Sequence, residues 1–233
     1  MSMNREQSSA IPTKEEWMAA LTMRHGEERQ KAFSAATVAV CGLGGLGSNI
    51  ATALARAGIG KLILMDFDCV DITNLHRQQY KITQIGMPKT EAMVQNLREI
   101  NPYIDPEIHT VRITTENAVA LLQEADIVCE AFDNPEAKAM LTNLVLEQFP
   151  QKYFVAGSGM AGFGDPNMIR TRKLTEHFYL CGDGCSDVAD GVGLVASRVM
   201  ICAAHQAHTI EPKISRMTAN EVHWLESAVA NPV

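Results

Sequence analysis

The segment 66–80, DFDCVDITNLHRQQY, follows the apolar run KLILM at 61–65 and combines three aspartates with an asparagine and an arginine. A carboxylate placed like Asp66, at the end of an apolar strand, is typical of nucleotide sites, where it accepts hydrogen bonds from ribose hydroxyls. Ribose binding needs only that one acid. The polar residues that follow it therefore indicate additional chemistry beside the ribose: Asp68, Asp71, Asn74 and Arg77.

A glycine-rich loop precedes this segment. The strand-like run TVAVC at 37–41 leads into GLGGLGS at 42–48, where Gly42, Gly44 and Gly47 match G-x-G-x-x-G and Gly45 adds a further glycine. Glycines here allow a tight turn, a close approach of the backbone to phosphate and close helix–strand packing. The helix N-terminus then faces the anion. The loop predicts a nucleotide site without distinguishing NAD, FAD and ATP.

Further polar residues follow apolar segments later in the chain. Lys89 begins a predicted helix, and Asp133 and Asn134 follow the strand-like run 126–130. Ligands of open α/β sheets bind at the carboxyl ends of the strands, so we expect these residues to lie near the glycine loop. Arg77 and Lys89 would neutralise phosphate oxygens, and a carboxylate suits Mg²⁺. The set favours a nucleoside triphosphate with Mg²⁺ over a nicotinamide cofactor.

Alternating strand-like and helical segments predict the fold. The strands are predicted at 37–41, 62–65, 108–113, 126–130 and 153–156, and the helices at 27–34, 48–57, 88–100, from Thr114 or Thr115, and at 136–148. This order is typical of a doubly wound, mostly parallel, Rossmann-like α/β sheet with helices on both faces. A capping box at Thr13 and Glu16 predicts an N-terminal helix.

The remainder of the chain is predicted to extend the sheet. The segments 168–174 and 177–180 form an antiparallel strand pair, a helix spans 193–208, Glu211 and Pro212 end it, and Thr218 and Glu221 cap a last short helix. We expect a single domain, 1–233, with N-terminal helices in 1–36, the core in 37–156, and antiparallel strands and C-terminal helices in 157–233.

Composition narrows the functional classes. The 233 residues carry a net charge of −7, which argues against nucleic acid as the main partner. The chain has neither the apolar core of a signal peptide nor a run long enough to span a bilayer, so we expect a cytoplasmic protein without membrane contact. Most of the six cysteines lie in apolar patterns, which favours buried free thiols over disulfides.

These motifs resemble the ThiF/MoeB/HesA family, bacterial relatives of the ubiquitin-activating enzymes. The resemblance rests on GLGGLGS at 42–48, DFD-x-V-x-x-x-NL-x-RQ at 66–78, G-x-PK at 86–89 and EAFDN at 130–134. The compact length, TQIG at 83–86 and YLCGDG at 179–184 are similar to the short ThiF branch, which is associated with thiamine thiazole synthesis.

The resemblance implies ATP-dependent adenylation of the C-terminal glycine of a ubiquitin-like sulfur carrier, ThiS in this branch, by a homodimer. The carrier supplies the nucleophile. By the same resemblance Asp66 holds the ribose, Asp133 holds Mg²⁺, and the phosphates contact Asn74, Arg77 and Lys89. Asp68 and Asp71 either bind the ligand or orient the loop.

Other functions stay open at this stage. The substrate is alternatively a molybdopterin-type carrier or a tRNA-linked carboxylate, although the acidic pI disfavours tRNA. A nicotinamide oxidoreductase and a non-enzymatic carrier-binding scaffold are rivals from other classes. The joint presence of Arg77, Lys89 and Asp133 favours an active adenylyltransferase.

The chain also departs from the family pattern. Longer members use an N-terminal arginine in trans, and Arg24 is the candidate here, weighed equally against a plain surface arginine. Many relatives bind zinc through two C-x-x-C pairs, which this chain lacks, so no zinc site is expected. A mixed site is the alternative, with ligands among Cys181, Cys185, His205 and His208.

Two features remain after these assignments. Cys181 or Cys185 is a candidate for a covalent link to the carrier, but neither has a cationic neighbour in sequence, so a structural cysteine is favoured. The segment 157–164, GSGMAGFG, is predicted as a channel for the Gly-Gly tail of the carrier, because glycines permit a close backbone approach. A flexible hairpin approach is the alternative.

Overall fold

The computed structural model describes residues 11–104, 106–191 and 193–229. Its strands are Thr37–Cys41 (β1), Lys61–Met65 (β2), Glu107–His109 (β3), Ile127–Glu130 (β4), Tyr153–Gly157 (β5), Arg170–Lys173 (β6) and Phe178–Gly182 (β7). Its α-helices are Lys14–His25 (α1), Glu27–Ala35 (α2), Gly45–Ala57 (α3), Lys89–Ile100 (α4), Ala118–Leu122 (α5), Pro135–Gln148 (α6) and Ala196–Val229 (α7).

Seven strands of the described chain form one sheet in the order β3-β2-β1-β4-β5-β7-β6. Neighbouring strands run parallel from β3 to β7, and β6 pairs antiparallel with β7. This confirms the predicted α/β fold and its antiparallel extension. The strand order reverses between β1 and β4, and in such sheets the crevice at the carboxyl ends of the reversing strands is the ligand site.

Side chains of the central strand alternate between two hydrophobic layers. Val38 and Val40 face the layer that contains the buried residues of α3, α4 and α7. Ala39 and Cys41 face the opposite layer, which contains buried residues of α5 and α6. Because both faces of β1 are covered, its residues form a continuous apolar run, and the run itself predicted a central strand.

The C-terminal helix differs from the sequence prediction. The expected break at Glu211 and Pro212 is wrong, because α7 continues through Pro212 to Val229 and includes the expected cap at 218–221. A proline inside a helix removes one hydrogen bond and introduces a steric clash. Packing offsets that cost here, since Ile210 and Ile214 are buried on either side of Pro212.

Three other boundaries also differ. Helix α3 begins at Gly45 rather than at residue 48, so the last glycines of the loop form its first turn. Strand β3 ends at His109 rather than at residue 113, because Ile113 leaves the sheet to pack beneath α5. Helix α5 begins at Ala118, later than predicted. Residues 166–168 form a 3₁₀ turn before β6. Of the helices described, none is long and apolar enough to cross a bilayer.

Candidate functional site

The glycine loop joins β1 to α3 at the carboxyl edge of the sheet. Gly42 has φ of +93°, a conformation that L side chains rarely adopt. A Cβ at Gly47 would lie 1.8 Å from the carbonyl oxygen of Gly42, so only glycine permits this helix–strand contact. Gly44 is the N-cap of α3, and no described side chain caps the helix. The first amides of α3 are therefore available to an anion.

Asp66 connects β2 to the glycine loop. Its carboxylate is mostly buried and accepts hydrogen bonds from the amides of Leu43 (Oδ2, 2.7 Å) and Asp68 (Oδ1, 2.8 Å). Burial raises the pKa of Asp66, while Lys89 and these amides oppose that rise. Each carboxylate oxygen can accept further bonds. The structure thus places Asp66 beside the loop, as a ribose-binding acid requires.

Lys89 and Asp68 form an ion pair next to Asp66. The Lys89 ammonium lies 3.0 Å from Asp68 Oδ2, and the Lys89 amide donates to the Asp68 carbonyl (2.9 Å). The Lys89 side chain is buried, whereas that of Asp68 is about half exposed. The start of α4 is therefore fixed to the end of β2, and its cation lies at the edge of the crevice.

The 3₁₀ turn Ile72–Asn74 leads directly to Arg77, whose amide donates to the Asn74 carbonyl (3.2 Å). Asp71 caps this turn by accepting from the Thr73 amide (2.8 Å), and Asn74 Oδ1 accepts from the Asp71 amide (3.1 Å). Hydrogen bonds from Thr73 lower the pKa of Asp71. Asp71 therefore orients the loop, which is one of its two predicted roles.

Arg77 extends from this loop towards α3. A guanidinium nitrogen of Arg77 makes a long contact with the Thr73 carbonyl (3.3 Å), and its Nε is buried without a hydrogen-bond partner among the described residues. The side chain also lies beside Gly45, since a Cβ there would be 3.5 Å from Arg77 Cγ. Arg77 thus keeps unused donors close to the glycine loop.

The turn after β4 carries Asp133 and Asn134. Asn134 is the N-cap of α6, where its Oδ1 accepts from the Ala137 amide (2.8 Å). Asp133 is exposed and makes no hydrogen bond or ion pair in the described part of the chain. A Cβ at Gly42 would be 3.0 Å from the Ala131 carbonyl, so this turn packs directly against the glycine loop.

Two charged residues at this edge were not among the predicted site residues. Glu130, the last residue of β4, is buried and pairs with Lys138 of α6 at 2.8 Å. A glutamate at the end of an otherwise apolar strand was the sequence signal for this pair. Its partner, Lys138, lies on the second turn of the following helix. No short sequence motif combines a glutamate and a lysine at this spacing.

The glycine-rich segment 157–164 is held by a buried ion pair between Asp183 and Arg198. Arg198 donates to the carbonyls of Gly164 (2.7 Å) and Asp165 (3.0 Å) and to Asp183 Oδ2 (2.7 Å). A Cβ at Gly159 would be 2.1 Å from Asp183 Oδ1. The segment is thus tied to α7 and to the loop after β7.

The thiols and histidines proposed for other roles differ in their surroundings, and Cys181 (3.5 Å) and His205 share Thr171 Oγ1 as a neighbour. Cys181 is buried, whereas Cys185 is exposed and its thiol donates to Asp183 (3.5 Å), a hydrogen bond that raises the pKa of Cys185. His205 contacts Thr171 (3.0 Å), and His208 is largely exposed. No cluster of three His, Cys, Asp or Glu side chains able to hold a metal occurs over residues 11–104, 106–191 and 193–229.

Arg24 lies in the last turn of α1, where it is exposed. Helix α1 packs against α2, and α2 packs against α7, on the face of the sheet that also carries α3. The role of Arg24 in a partner subunit stays a prediction.

Comparison with known proteins identifies the family. The profile described as "ThiF family" matches residues 18–217. The sulfur carrier protein adenylyltransferase of Thermus thermophilus is 38% identical over 110 residues, which are 47% of this chain and 41% of that protein. The adenylyltransferase and sulfurtransferase MOCS3 of Anopheles gambiae is 37% identical over 136 residues, 58% of this chain and 30% of that protein. The chain spans less than half of these relatives.

Solved structures share the fold. One is TcdA of E. coli, described as tRNA N6-threonylcarbamoyladenosine dehydratase in complex with ATP. It superposes with a TM-score of 0.80 at 22% identity and covers 91% of this chain and 99% of that chain. E. coli MccB gives a TM-score of 0.64 at 22% identity, over 81% of this chain and 59% of that chain. At these identities the likeness concerns the fold alone. The family profile covers most of the sequence, and the chain therefore belongs to the ThiF family.

Proposed function

We propose that this protein catalyses the ATP-dependent adenylation of the C-terminal glycine of a ubiquitin-like sulfur carrier. One observation carries the proposal. Asp66, Arg77 and Lys89 lie close to one glycine loop at the reversal point of the sheet, and Asp133 belongs to the turn that packs against that loop. A dinucleotide site would require only the loop and the acid. The two relatives named as adenylyltransferases support the same activity.

The residues present fit a nucleoside triphosphate. The uncapped first turn of α3 offers amides to phosphate oxygens, and the buried Nε of Arg77 lacks any acceptor among the described residues. Asp66 accepts hydrogen bonds from the ribose hydroxyls, and Asn74 and Lys89 contact the phosphates. Asp133 has an exposed carboxylate with no described partner, which is a suitable ligand for Mg²⁺. When bound, Mg²⁺ would neutralise charge on the departing phosphates.

The reaction needs positioning more than side-chain chemistry. A carboxylate oxygen of the carrier attacks the α-phosphorus of ATP, the bond from that phosphorus to the bridging oxygen breaks, and pyrophosphate leaves with the electron pair. Arg77 and Lys89 stabilise the negative charge that develops on the phosphate oxygens. The segment 157–164 guides the carrier tail, because its glycines leave room for a second backbone. The carrier supplies the nucleophile, so the adenylation step needs no cysteine of this chain.

The finer assignment concerns the carrier and the assembly. The TQIG and YLCGDG motifs favour a ThiS-type carrier with a Gly-Gly terminus and a role in thiamine thiazole synthesis. A molybdopterin-type carrier is the second candidate, since the relatives named adenylyltransferase and sulfurtransferase carry no mention of thiamine in their names. We further propose a homodimer, in which Arg24 approaches the site of the partner.

ATP–pyrophosphate exchange tests the proposal. The purified protein is assayed with Mg²⁺ and with a ThiS-type carrier, a molybdopterin-type carrier, or a ThiS-type carrier lacking its last two glycines. We expect exchange with the intact ThiS-type carrier and none with the truncated one. Exchange with the molybdopterin-type carrier alone would reassign the substrate. No exchange with either carrier, while ATP still raises the Tm, would refute the proposed substrate class.

A further inference from the structure

Glu130 lies at the centre of a buried polar cluster beneath the Asp133 turn. Its carboxylate is almost fully buried and accepts a hydrogen bond from the amide of Phe132 (2.6 Å). The ammonium of Lys138 lies 2.8 and 2.9 Å from the two carboxylate oxygens. Lys138 also donates to the Phe132 carbonyl (2.9 Å). An ammonium has three donors, and all three have acceptors here.

These bonds fix the backbone on both sides of Asp133. Phe132, the preceding residue, donates through its amide to Glu130 and accepts through its carbonyl from Lys138. Asn134, the following residue, is held as the N-cap of α6. The side chain of Asp133 itself stays exposed. The position of this carboxylate is therefore determined by its neighbours and not by contacts of its own.

Glu130 is also anchored from the opposite face of the sheet. Gln206 of α7 donates to the Glu130 carbonyl (2.9 Å) and lies within 3.5 Å of the Val155 carbonyl. Gln206 thus connects the backbone of Glu130 to β5, the strand that leads into the segment 157–164.

The cluster is costly if it only stabilises the fold. A buried ion pair seldom contributes more than a well-packed apolar pair of similar volume, because desolvation offsets the attraction. Groups behind a metal ligand, in contrast, commonly set its orientation. The contacts of Glu130 and Lys138 reach the backbone that carries Asp133, which favours the second role.

We propose that Glu130 and Lys138 are positioning residues, which hold the Asp133 turn in the geometry that Mg²⁺-supported ATP binding requires. The inference rests on the proposed function, in which Asp133 is the ligand of Mg²⁺. Neither residue contacts substrate.

Calorimetry measures the Kd of ATP in the presence of Mg²⁺ and again in the presence of EDTA. The readout is the Kd in EDTA divided by the Kd in Mg²⁺, a ratio that does not depend on turnover. Lys138→Met leaves the Glu130 carboxylate buried without a partner, so that variant is expected to be unstable. The double variant Glu130→Gln with Lys138→Met removes both charges and is expected to recover a Tm close to wild type. In this double variant the Phe132 carbonyl loses the hydrogen bond that Lys138 donates to it in the wild type.

We expect the Kd ratio of the double variant to fall about tenfold despite the recovered Tm. Lys138→Arg, which keeps the charge and the donors, is expected to retain the wild-type ratio. Lys61→Met is the matched control, since it removes a lysine that pairs with Glu107 and Glu124 at the opposite edge of the sheet. A double variant with the wild-type Kd ratio would overturn the inference.

Asp133→Asn separates this inference from the function on which it rests. Loss of the Mg²⁺ effect in Asp133→Asn, with a normal effect in the double variant, would refute the positioning role alone. A normal Mg²⁺ effect in Asp133→Asn would refute both the metal assignment and the positioning role. Loss in both variants, with Lys138→Arg unchanged, is the expected result.

Discussion

The ammonium of Lys89 lies 3.0 Å from Asp68 Oδ2, and the lysine is far more deeply buried than its partner. The pair holds a cation close to Asp66 and the glycine loop. Because Asp68 is about half exposed, its carboxylate is replaceable by another anion that reaches the same ammonium. Asp68 therefore has two candidate roles, as a ligand-binding residue or as a residue that orients its neighbours.

Asp68→Asn tests which role holds. The variant leaves the buried ammonium of Lys89 without its anion, so we expect a loss of about 1–2 kcal/mol in the free energy of unfolding. A triphosphate would then supply the missing negative charge. We expect ATP to raise the Tm of the variant by more than it raises that of the wild type, measured by thermal shift at equal saturation. A smaller ATP-induced shift would show that Asp68 itself binds the nucleotide.

Gly47→Ala and Gly44→Ala form a matched pair within the loop. The new Cβ at position 47 would meet the Gly42 carbonyl at 1.8 Å, which forces the backbone to move. At position 44 the nearest atom is the end of the Gln78 side chain, at 3.8 Å. We expect Gly47→Ala to lose about 2 kcal/mol or more in urea denaturation, and Gly44→Ala to change by less than about 1 kcal/mol. Equal losses would contradict the packing role of Gly47.

Arg77→Ala is expected to affect turnover more than nucleotide binding. The unused donors of Arg77 would stabilise charge that develops in the transition state, so kcat should fall about 100-fold, while the Kd for ATP rises less than about fivefold. Carrier-dependent exchange and calorimetry measure the two quantities. His76→Ala is the control, because His76 lies 3.4 Å from Arg77 and has no role in the proposed site. Equal losses in kcat and binding would mean that Arg77 only anchors ATP.

Asp183 predicts a pH dependence of stability. Burial raises the pKa of Asp183, but the hydrogen bonds from Ser186, Cys185 and Arg198 outweigh burial and hold this pKa well below its usual range. A carboxyl group with a lower pKa in the folded state stabilises the fold above its unfolded pKa, about 3.9, and loses that contribution as the pH falls below it. We therefore expect the Tm of the wild type to fall more steeply below about pH 4 than that of Asp183→Asn. Parallel curves from pH 7 to pH 2.5 would contradict this assignment.

The elements that could be predicted from the sequence depend on short-range patterns. The runs 37–41 and 62–65 are apolar because both faces of those strands are covered, and strand–loop–helix order follows directly. The glycine loop was recognisable because its spacing serves one local geometry. Gly45 was read as loop, however, since glycine is a poor helix former. Its place in the first turn of α3 depends on the packing of that helix.

What could not be predicted depends on contacts between distant residues. Pro212 is a strong local signal for a helix end, but burial of Ile210 and Ile214 overrides it. The ion pair of Asp183 and Arg198 joins a loop to a helix, and that of Glu130 and Lys138 spans a turn. Neither ion pair follows the periodicity of a helix or a strand, and neither belongs to a short sequence motif. Residue types that suit a nucleotide site could therefore be recognised in the sequence, whereas the buried ion pairs that hold the neighbouring backbone could not.

The packing of α7 on α3 has a consequence for the order in which the protein assembles. Val199 of α7 lies against the glycine loop, since a Cβ at Gly45 would be 3.0 Å from Val199 Cγ1. These residues lie far apart in the chain, so the loop cannot adopt its final surroundings on a ribosome until α7 has been translated. Contacts of such long sequence separation slow folding and leave apolar surface exposed meanwhile. The complete glycine motif is thus present in the nascent chain long before α7 can pack against it.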